Sequence, residues 1–441
     1  MKNSNYQIYV SGTIKLGVSF GIVSLLARWI TGNSILSSPE MLMKYGLTGG
    51  IGYSLMGAVG LILFGFLAKK IRERYPNQST IGDVLHGKLT PIGYGYMMTV
   101  ILFTSFDSMF VQAISAGILL HMISPLPIFV GMFIFLLFCY IVGGIGGMQR
   151  IHQLAGLNVS LAFGAVIVIP VYFYIQQGIS PVYDGIKLYH PYLLYLKNTD
   201  ATFFIFTAIL IGFGQIIIDR STWQRIFIIK KEKIQLTFML AGLIWLTIPL
   251  AISSLLLIII YGRSYDNIYS LLYELINKIG STPLIILFVL FCFSALSSAL
   301  SSELNATTSL IVKNIFGVFR SLSNQGKWKY TSIISGLICL VLLGLVSFLK
   351  PNLLALLFFF GNIYASLIAP MIVIVLSKKM VTAIVPFASL VGLVGGYISL
   401  YIIGLDHLMS IWVSFTISST ICILYSLYNT VFFKNDFIEG S

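Results

Sequence analysis

Apolar stretches long enough to cross a lipid bilayer as helices recur twelve times along the chain. A spanning helix needs about 20 mostly apolar residues, because its backbone polar groups must be hydrogen-bonded within the segment. The stretches cover residues 15–38, 48–68, 93–121, 125–146, 154–176, 202–219, 236–262, 283–312, 331–349, 353–377, 380–402 and 408–432. Since only 9% of the residues are charged, we predict an all-α polytopic membrane protein with about twelve transmembrane helices.

The distribution of basic residues predicts the orientation in the membrane. With the N-terminus in the cytoplasm, nineteen lysines and arginines fall on the cytoplasmic side and six on the outer side. Cytoplasmic loops carry such an excess, so we expect both termini in the cytoplasm of a protein integral to the plasma membrane. Because the basic residues are spread over short loops and form no single patch, the net charge of +13 does not indicate a nucleic-acid partner.

The first apolar segment, residues 16–38, carries polar residues where a simple anchor would carry leucine and valine. Arg28 lies in its middle and is followed by the sequence Thr31-Gly32-Asn33-Ser34. Glycine raises the cost of continuing a helix, and asparagine and serine compete for its hydrogen bonds. We therefore predict that this helix breaks near residues 31–34 and forms half of a transport site, because freed backbone groups must face protein, water or solute.

The sixth segment shows a similar feature, with two glycines and a polar side chain in residues 211–215. It runs in the opposite direction to the first, which is typical of inverted repeats with a site between unwound helices. We predict one transporter domain over residues 1–441, with repeats at 14–176 and 200–377 and two additional C-terminal helices at 380–432. Close helix packing is the alternative explanation of the glycines.

The eighth segment carries a polar stripe at helical spacing, formed by Ser294, Ser298, Ser301, Asn305 and Thr308. Such a stripe either lines a path for a cation or solute or hydrogen-bonds to neighbouring helices.

Two charged residues, Arg28 and Asp107, are expected near the middle of the membrane. Each costs about 2.5 to 3.5 kcal/mol there, so they face the interior, as a charge pair or as a substrate or proton site. Glu303 lies roughly opposite the polar stripe, and we expect it to pair with a basic residue near the cytoplasm.

Four stretches of the chain resemble the solute:sodium symporter family, and most closely its urea and polyamine transporter branch. They are residues 45–49, the Gly143-Gly144-Ile145 turn, Asp219-Arg220-Ser221-Thr222-Trp223-Gln224-Arg225, and the hydroxyl-rich eighth segment ending at residue 316. The resemblance implies a five-plus-five inverted-repeat fold of the leucine-transporter type, with broken helices 1 and 6. It also implies alternating access, usually driven by sodium.

By this resemblance, Na⁺ would be held between segments 1 and 8. The corresponding positions are the carbonyls of Ala27, Ile30 and Ala295 and the hydroxyl of Ser298. One family hydroxyl is replaced by Ala299, and the acidic residue common in segment 5 is missing. Since Arg28 lies beside this site, we hypothesise that sodium coupling is weakened or lost. Asp107 would then support proton coupling, or Arg28 would bind a substrate carboxylate. Urea is poorly supported as the substrate, because the chain is shorter than urea-type members.

We therefore predict a secondary active transporter for a small polar organic solute, with a solute sensor acting through a separate partner as the alternative. We expect no enzymatic activity, no cofactor other than Na⁺ or H⁺, and no obligatory protein partner. The expected partners are a small-molecule substrate and membrane lipid. The predicted substrate-binding residues are Trp29, Thr31, Asn33, Asp107, Gly214 and Gln215. The predicted cytoplasmic gate comprises Asp219, Trp223, Gln224 and Arg225.

Overall fold

A computed structural model describes residues 5–13, 15–260, 278–319, 323–348 and 353–435. This described part consists of helices and connecting turns, with two isolated β-bridges and no strand. In chain order the helices are α1 (Asn5–Ser11), α2 (Val18–Trp29), α3 (Gly32–Arg74), α4 (Ile81–His86), α5 (Pro91–Ile123), α6 (Ile128–Cys139), α7 (Gly147–Gln177), α8 (Ile179–Tyr189), α9 (Thr199–Ile218), α10 (Arg220–Ile228), α11 (Ile234–Ile260), α12 (Thr282–Leu310), α13 (Asn324–Phe348), α14 (Leu353–Leu376), α15 (Ile384–Tyr401) and α16 (His407–Asn435). Two π-helical turns, Tyr140–Ile145 and Ile311–Phe316, extend α6 and α12.

Eleven helices among the described residues are long and apolar enough to cross a membrane, and α2 is a shorter apolar helix. The prediction of an all-α polytopic membrane protein is confirmed. The first predicted segment is divided between α2 and the start of α3. A bend at Gly46 separates that start from the second predicted segment. Gly46 has a φ of +72° and lies against the backbone of Leu193, so a side chain here would be both strained and crowded.

The long helix α3 packs against α9 and α11, and α12 packs against α5 and α7. The short helix α2 contacts α7, α10, α11 and α12. A single apolar cluster of buried residues extends from Leu16 to Cys422 through these contacts. The first apolar segment therefore contacts the eighth through α2, α3 packs against the sixth, and the eighth also packs against the third.

Four basic residues, Arg74, Lys88, Lys313 and Lys378, lie at one end of the bundle, which we call the basic end. There Lys313 pairs with Asp83 of α4 at 2.6 Å, and Lys88 donates to the carbonyl of Lys378 at 3.1 Å. Arg74, at the end of α3, donates to the carbonyl of Val375 at 3.0 Å. These contacts join the ends of α3, α12 and α14 on the same side of the bundle.

Candidate functional site

The first break separates α2, which ends at Trp29, from α3, which begins at Gly32. The two residues between them have extended backbone conformations. The freed carbonyl of Trp29 accepts a hydrogen bond from the indole N–H of Trp245 at 2.8 Å. The freed N–H of Gly32 donates to Oε1 of Gln112 at 2.7 Å. Side chains from α11 and α5 thus replace the lost helical hydrogen bonds, as a break inside a membrane requires.

The second break lies at Asp219, between α9 and α10, and not at residues 211–215 as the sequence predicted. Helix α9 continues without interruption from Thr199 to Ile218. Asp219 has extended backbone, and its carboxylate accepts hydrogen bonds from the N–H and hydroxyl of Thr222 at 2.7 and 2.6 Å. The aspartate therefore caps α10, which stabilises a helix that restarts inside the protein.

The glycines of α9 serve close packing, which was the alternative explanation of their presence. A Cβ atom on Gly214 would collide with the carbonyl of Tyr364, and one on Gly212 would collide with the carbonyl of Met56. These contacts bring α9 against α14 and α3. The prediction that the helix unwinds at these glycines is wrong. The helix is continuous there, and glycine is needed because any side chain would collide with the neighbouring backbone.

Buried charges connect the two breaks. Nη2 of Arg28 lies 2.5 Å from Oδ1 of Asp219 and 2.8 Å from Oε2 of Glu303. Arg220, the first residue of α10, lies 2.5 Å from Oε1 of Glu303. The four side chains are at most 4% exposed. Two positive and two negative charges form a neutral network, which offsets the cost of placing them in the interior.

The network differs from the predicted charge pair of Arg28 and Asp107. Asp107 instead accepts a hydrogen bond of 2.5 Å from the hydroxyl of Tyr364 on α14. Glu303 pairs with two basic residues, as expected, but these partners, Arg28 and Arg220, are buried within the bundle. A cytoplasmic position of the pair remains a prediction. Sequence reasoning missed the pairing of Arg28 with Asp219, since 191 residues separate them in the chain.

The predicted gate residues occupy the buried helix α10 and its cap, and not a cytoplasmic loop. Trp223 is fully buried and donates to the carbonyl of Ile217 at 2.8 Å. Arg225 is also fully buried; it donates to the carbonyl of Ser24 at 2.9 Å and to the hydroxyl of Ser302 at 3.1 Å. Through these contacts α10 ties α2 to α12. These residues therefore form a buried helix junction, and their role as a gate remains a prediction.

A small cavity of about 30 Å³ lies beside the first break and against α9. Its lining comprises Arg28, Trp29, Thr31, Ser34, Tyr53, Met56, Gly57, Ser108, Gln112, Gly212, Gln215, Ile216 and Trp245. We call it the central cavity.

Three predicted substrate-binding residues, Trp29, Thr31 and Gln215, line the central cavity. Asp107 and Gly214 do not, although Ser108 and Gly212 beside them do. The side chain of Asn33 lies outside the described residues. Sequence reasoning missed the cavity residues contributed by α3, α5 and α11. The sequence of an apolar helix does not show whether an aromatic or amide side chain points toward the cavity or away from it.

None of the four predicted cation positions, Ala27, Ile30, Ala295 and Ser298, lines the central cavity. Helices α2 and α12 pack together, which places Ala27 and Ile30 on one side and Ala295 on the other. Ser298 instead lines a cavity of about 10 Å³ together with Asn158 of α7 and other residues. Its hydroxyl is buried and without a hydrogen-bond partner in the described structure. Asn158 was missed from the sequence; its Oδ1 accepts a hydrogen bond from Ser294 at 2.6 Å.

Toward the basic end, the polar stripe of α12 is covered by the N-terminal helix α1. Asn305 donates to the carbonyl of Tyr9 at 3.1 Å, and the hydroxyls of Thr308 and Tyr9 lie 2.9 Å apart. This half of the stripe therefore hydrogen-bonds to a neighbouring helix, which was one of the two alternatives.

Two broken helices are joined by buried charges, and a small polar cavity lies at the first break. These features define a class: multi-pass membrane proteins whose central site lies at interrupted helices. The chain belongs to the sodium:solute symporter family, whose model matches residues 9–396. The resemblance seen in the sequence is thereby confirmed.

Similar proteins include a probable urea active transporter from Schizosaccharomyces pombe, 24% identical over 71% of this chain and 52% of its own length. A urea-proton symporter from Oryza sativa subsp. japonica is 20% identical over 71% of this chain and 48% of its own length. The chain thus spans about half the length of the curated relatives it matches. These relatives support the urea branch of the family.

Two solved structures share the fold. One is a substrate-bound outward-open Na⁺-coupled sialic acid symporter, with a TM-score of 0.75 and 15% identity over 96% of this chain and 92% of the other. The second is Mhp1, a nucleobase-cation-symport-1 family transporter in a closed conformation, with a TM-score of 0.58 and 12% identity over 95% of this chain and 93% of the other. The leucine-transporter-type fold predicted from the resemblance is confirmed.

Replacing Trp245 by phenylalanine is expected to lower the free energy of unfolding by about 1 to 3 kcal/mol, because the Trp29 carbonyl loses its indole donor. The measurement is the midpoint of thermal unfolding of the purified protein in detergent. Trp328→Phe, at a site where the indole is 38% exposed, is the matched control. Equal midpoints for the two variants would show that the hydrogen bond does not hold the break.

Proposed function

We propose that the protein is a secondary active transporter that moves a small polar organic solute across the cell membrane by alternating access. The observation that carries this proposal is the central cavity, which lies at the first break and is lined by α5, α9 and α11. Breaks of this kind let one group of helices move against another around a site near the middle of the membrane. The family membership supports the same proposal.

The lining of the central cavity favours a small solute with several hydrogen-bonding groups. Trp29, Trp245 and Tyr53 provide aromatic walls, and Gln112 and Gln215 provide amides. Amides both donate and accept, so they suit a solute that does the same. The relatives named for urea make urea the first compound to test, despite the shorter chain.

We propose Na⁺ or H⁺ as the coupling ion. The sequence argument against Na⁺ was the charge of Arg28, but two carboxylates contact this guanidinium. The group of Arg28, Arg220, Asp219 and Glu303 has no net charge, so its repulsion of a nearby cation is weaker than the sequence indicates. The unpartnered hydroxyl of Ser298 is a neutral oxygen that suits a hard cation.

We also propose that both termini are cytoplasmic, which makes the basic end the inner face of the plasma membrane. The excess of lysine and arginine in the loops on that side supports this orientation. Labelling of single cysteines placed in exposed loops at either end, in sealed vesicles, tests it.

Uptake of labelled urea into proteoliposomes tests both the function and the coupling ion. We expect accumulation driven by an inward gradient of Na⁺ or of protons, and none with equal ion concentrations on both sides. A panel of small amides, amino acids and polyamines extends the test to other solutes. Equilibration of every compound at the rate of protein-free liposomes would contradict the proposal.

Replacing Gln215 by leucine is expected to weaken the apparent affinity for the transported solute about tenfold, because the cavity loses an amide. The unfolding midpoint should change little, since the volume is retained. Gln153→Leu, at an exposed position of α7, provides the control. Unchanged uptake kinetics in the Gln215 variant would remove this residue from the site.

A further inference from the structure

A second cavity lies at the basic end and shares no lining residue with the central cavity. Its volume is about 540 Å³, within the range of roughly 300 to 1,000 Å³ of small-molecule sites. Its walls come from α1 and the residues that follow it, the end of α3, the π-helical turn after α12, and the start of α13. We call it the basic cavity.

Four cationic side chains line the basic cavity, namely Lys15, Arg72, Lys313 and Lys327. Asp83 pairs with Lys313 at 2.6 Å. Within the described residues, no carboxylate lies within 4.0 Å of the other three cations. The cavity therefore has an excess of positive charge.

Two cations of the basic cavity, Lys15 and Lys327, contact neighbouring groups and still have N–H donors that are free to bind a ligand. Lys15 donates to the carbonyl of Phe227 at 2.7 Å, and the ammonium of Lys327 lies 5.7 Å from the ring centre of Tyr6. A lysine has three N–H donors, so each retains donors for a ligand. Neutral side chains complete the lining at Thr13, Asn77, Gln78, Ser79 and Asn324.

We propose that the basic cavity binds a phosphate-bearing anion. A phosphate group carries close to two negative charges and several acceptor oxygens, which match clustered cations and neutral donors better than a single carboxylate does. The group belongs either to a soluble phosphate compound or to a lipid headgroup, since the cavity is open at the end of the bundle.

Binding would act on the first broken helix. The cavity wall includes α1 and Lys15, which come directly before α2, and it includes residues of α3 and α13. An anion that contacts Lys15 and Lys327 together would join the segment before α2 to the start of α13.

Thermal unfolding of the purified full-length protein tests the proposal without reference to transport. Pyrophosphate is the soluble probe, compared with NaCl at equal ionic strength. Nanodiscs of phosphatidylcholine with and without phosphatidic acid form the lipid arm. The test variants are Lys327→Gln and Lys15→Gln/Lys327→Gln. The charge-matched control is Lys69→Gln/Lys70→Gln, at two exposed positions of α3.

We expect one phosphate source to raise the unfolding midpoint of the wild type and the control beyond the effect of NaCl. The apparent affinity should fall roughly tenfold in Lys327→Gln and further in the double variant. A response to pyrophosphate assigns a soluble ligand, and a response to phosphatidic acid alone assigns a lipid headgroup. No response to either source, or an equal response in the Lys15/Lys327 variant, would overturn the proposal.

Discussion

Replacing Glu303 by glutamine is expected to lower the free energy of unfolding by about 3 to 5 kcal/mol, the largest effect that we predict for a single substitution. Glu303 is fully buried and contacts the guanidinium groups of both Arg28 and Arg220. Glutamine keeps the volume but removes the charge. Arg220 would then lose its carboxylate partner, and Arg28 would retain only that of Asp219.

The thermal unfolding midpoint and the yield of folded protein measure this effect. Glu73→Gln, at an exposed position near the end of α3, is the control. A second variant, Glu303→Gln with Arg220→Gln, removes one charge of each sign. We expect it to be more stable than Glu303→Gln alone, because neutrality is restored. Wild-type stability in the single variant would show that the network is not an essential structural element.

Replacing Gly214 by alanine is expected to lower the free energy of unfolding by about 1 to 3 kcal/mol. The added Cβ would collide with the carbonyl of Tyr364, so α9 and α14 would have to separate. Tyr364 also donates to Asp107, so the separation would disturb a buried hydrogen bond. We therefore expect reduced stability and reduced uptake together.

Gly156→Ala is the matched control, since a Cβ on this glycine of α7 meets nothing within 4 Å. Alanine favours helices over glycine by up to about 1 kcal/mol, so this variant should equal or exceed the wild type in stability. If both glycine variants had the same unfolding midpoint, close packing at Gly214 would be the wrong explanation of its presence.

Comparison of the two breaks shows what sequence reasoning can locate. The first break was predicted near Thr31 and is observed immediately before Gly32, because several polar residues there weaken one short stretch of helix. The second was predicted at two glycines and is observed at Asp219. A glycine that permits close packing and a glycine at which a helix unwinds look identical in the sequence. Their difference lies in what faces them.

The boundaries of the two predicted repeats remain a prediction, as does the coupling ion. The buried charges do constrain how the broken helices move. The charges that join α2, α10 and α12 would have to move together or exchange partners when the central cavity opens. A buried ion pair separated without a new partner is costly, so we infer that these helix ends move as a group.

The sequence by itself determined the all-α membrane fold, the approximate number of spans and the first break. Each depends on local composition: a membrane admits helices whose apolar length matches its thickness, and polar residues weaken them locally. The tertiary structure alone decided that Arg28 pairs with Asp219 and Glu303 and that α10 is buried. It also decided which aromatic and amide side chains surround the central cavity. These features depend on the directions in which side chains from distant helices point, and the periodicity of one helix does not specify its neighbours.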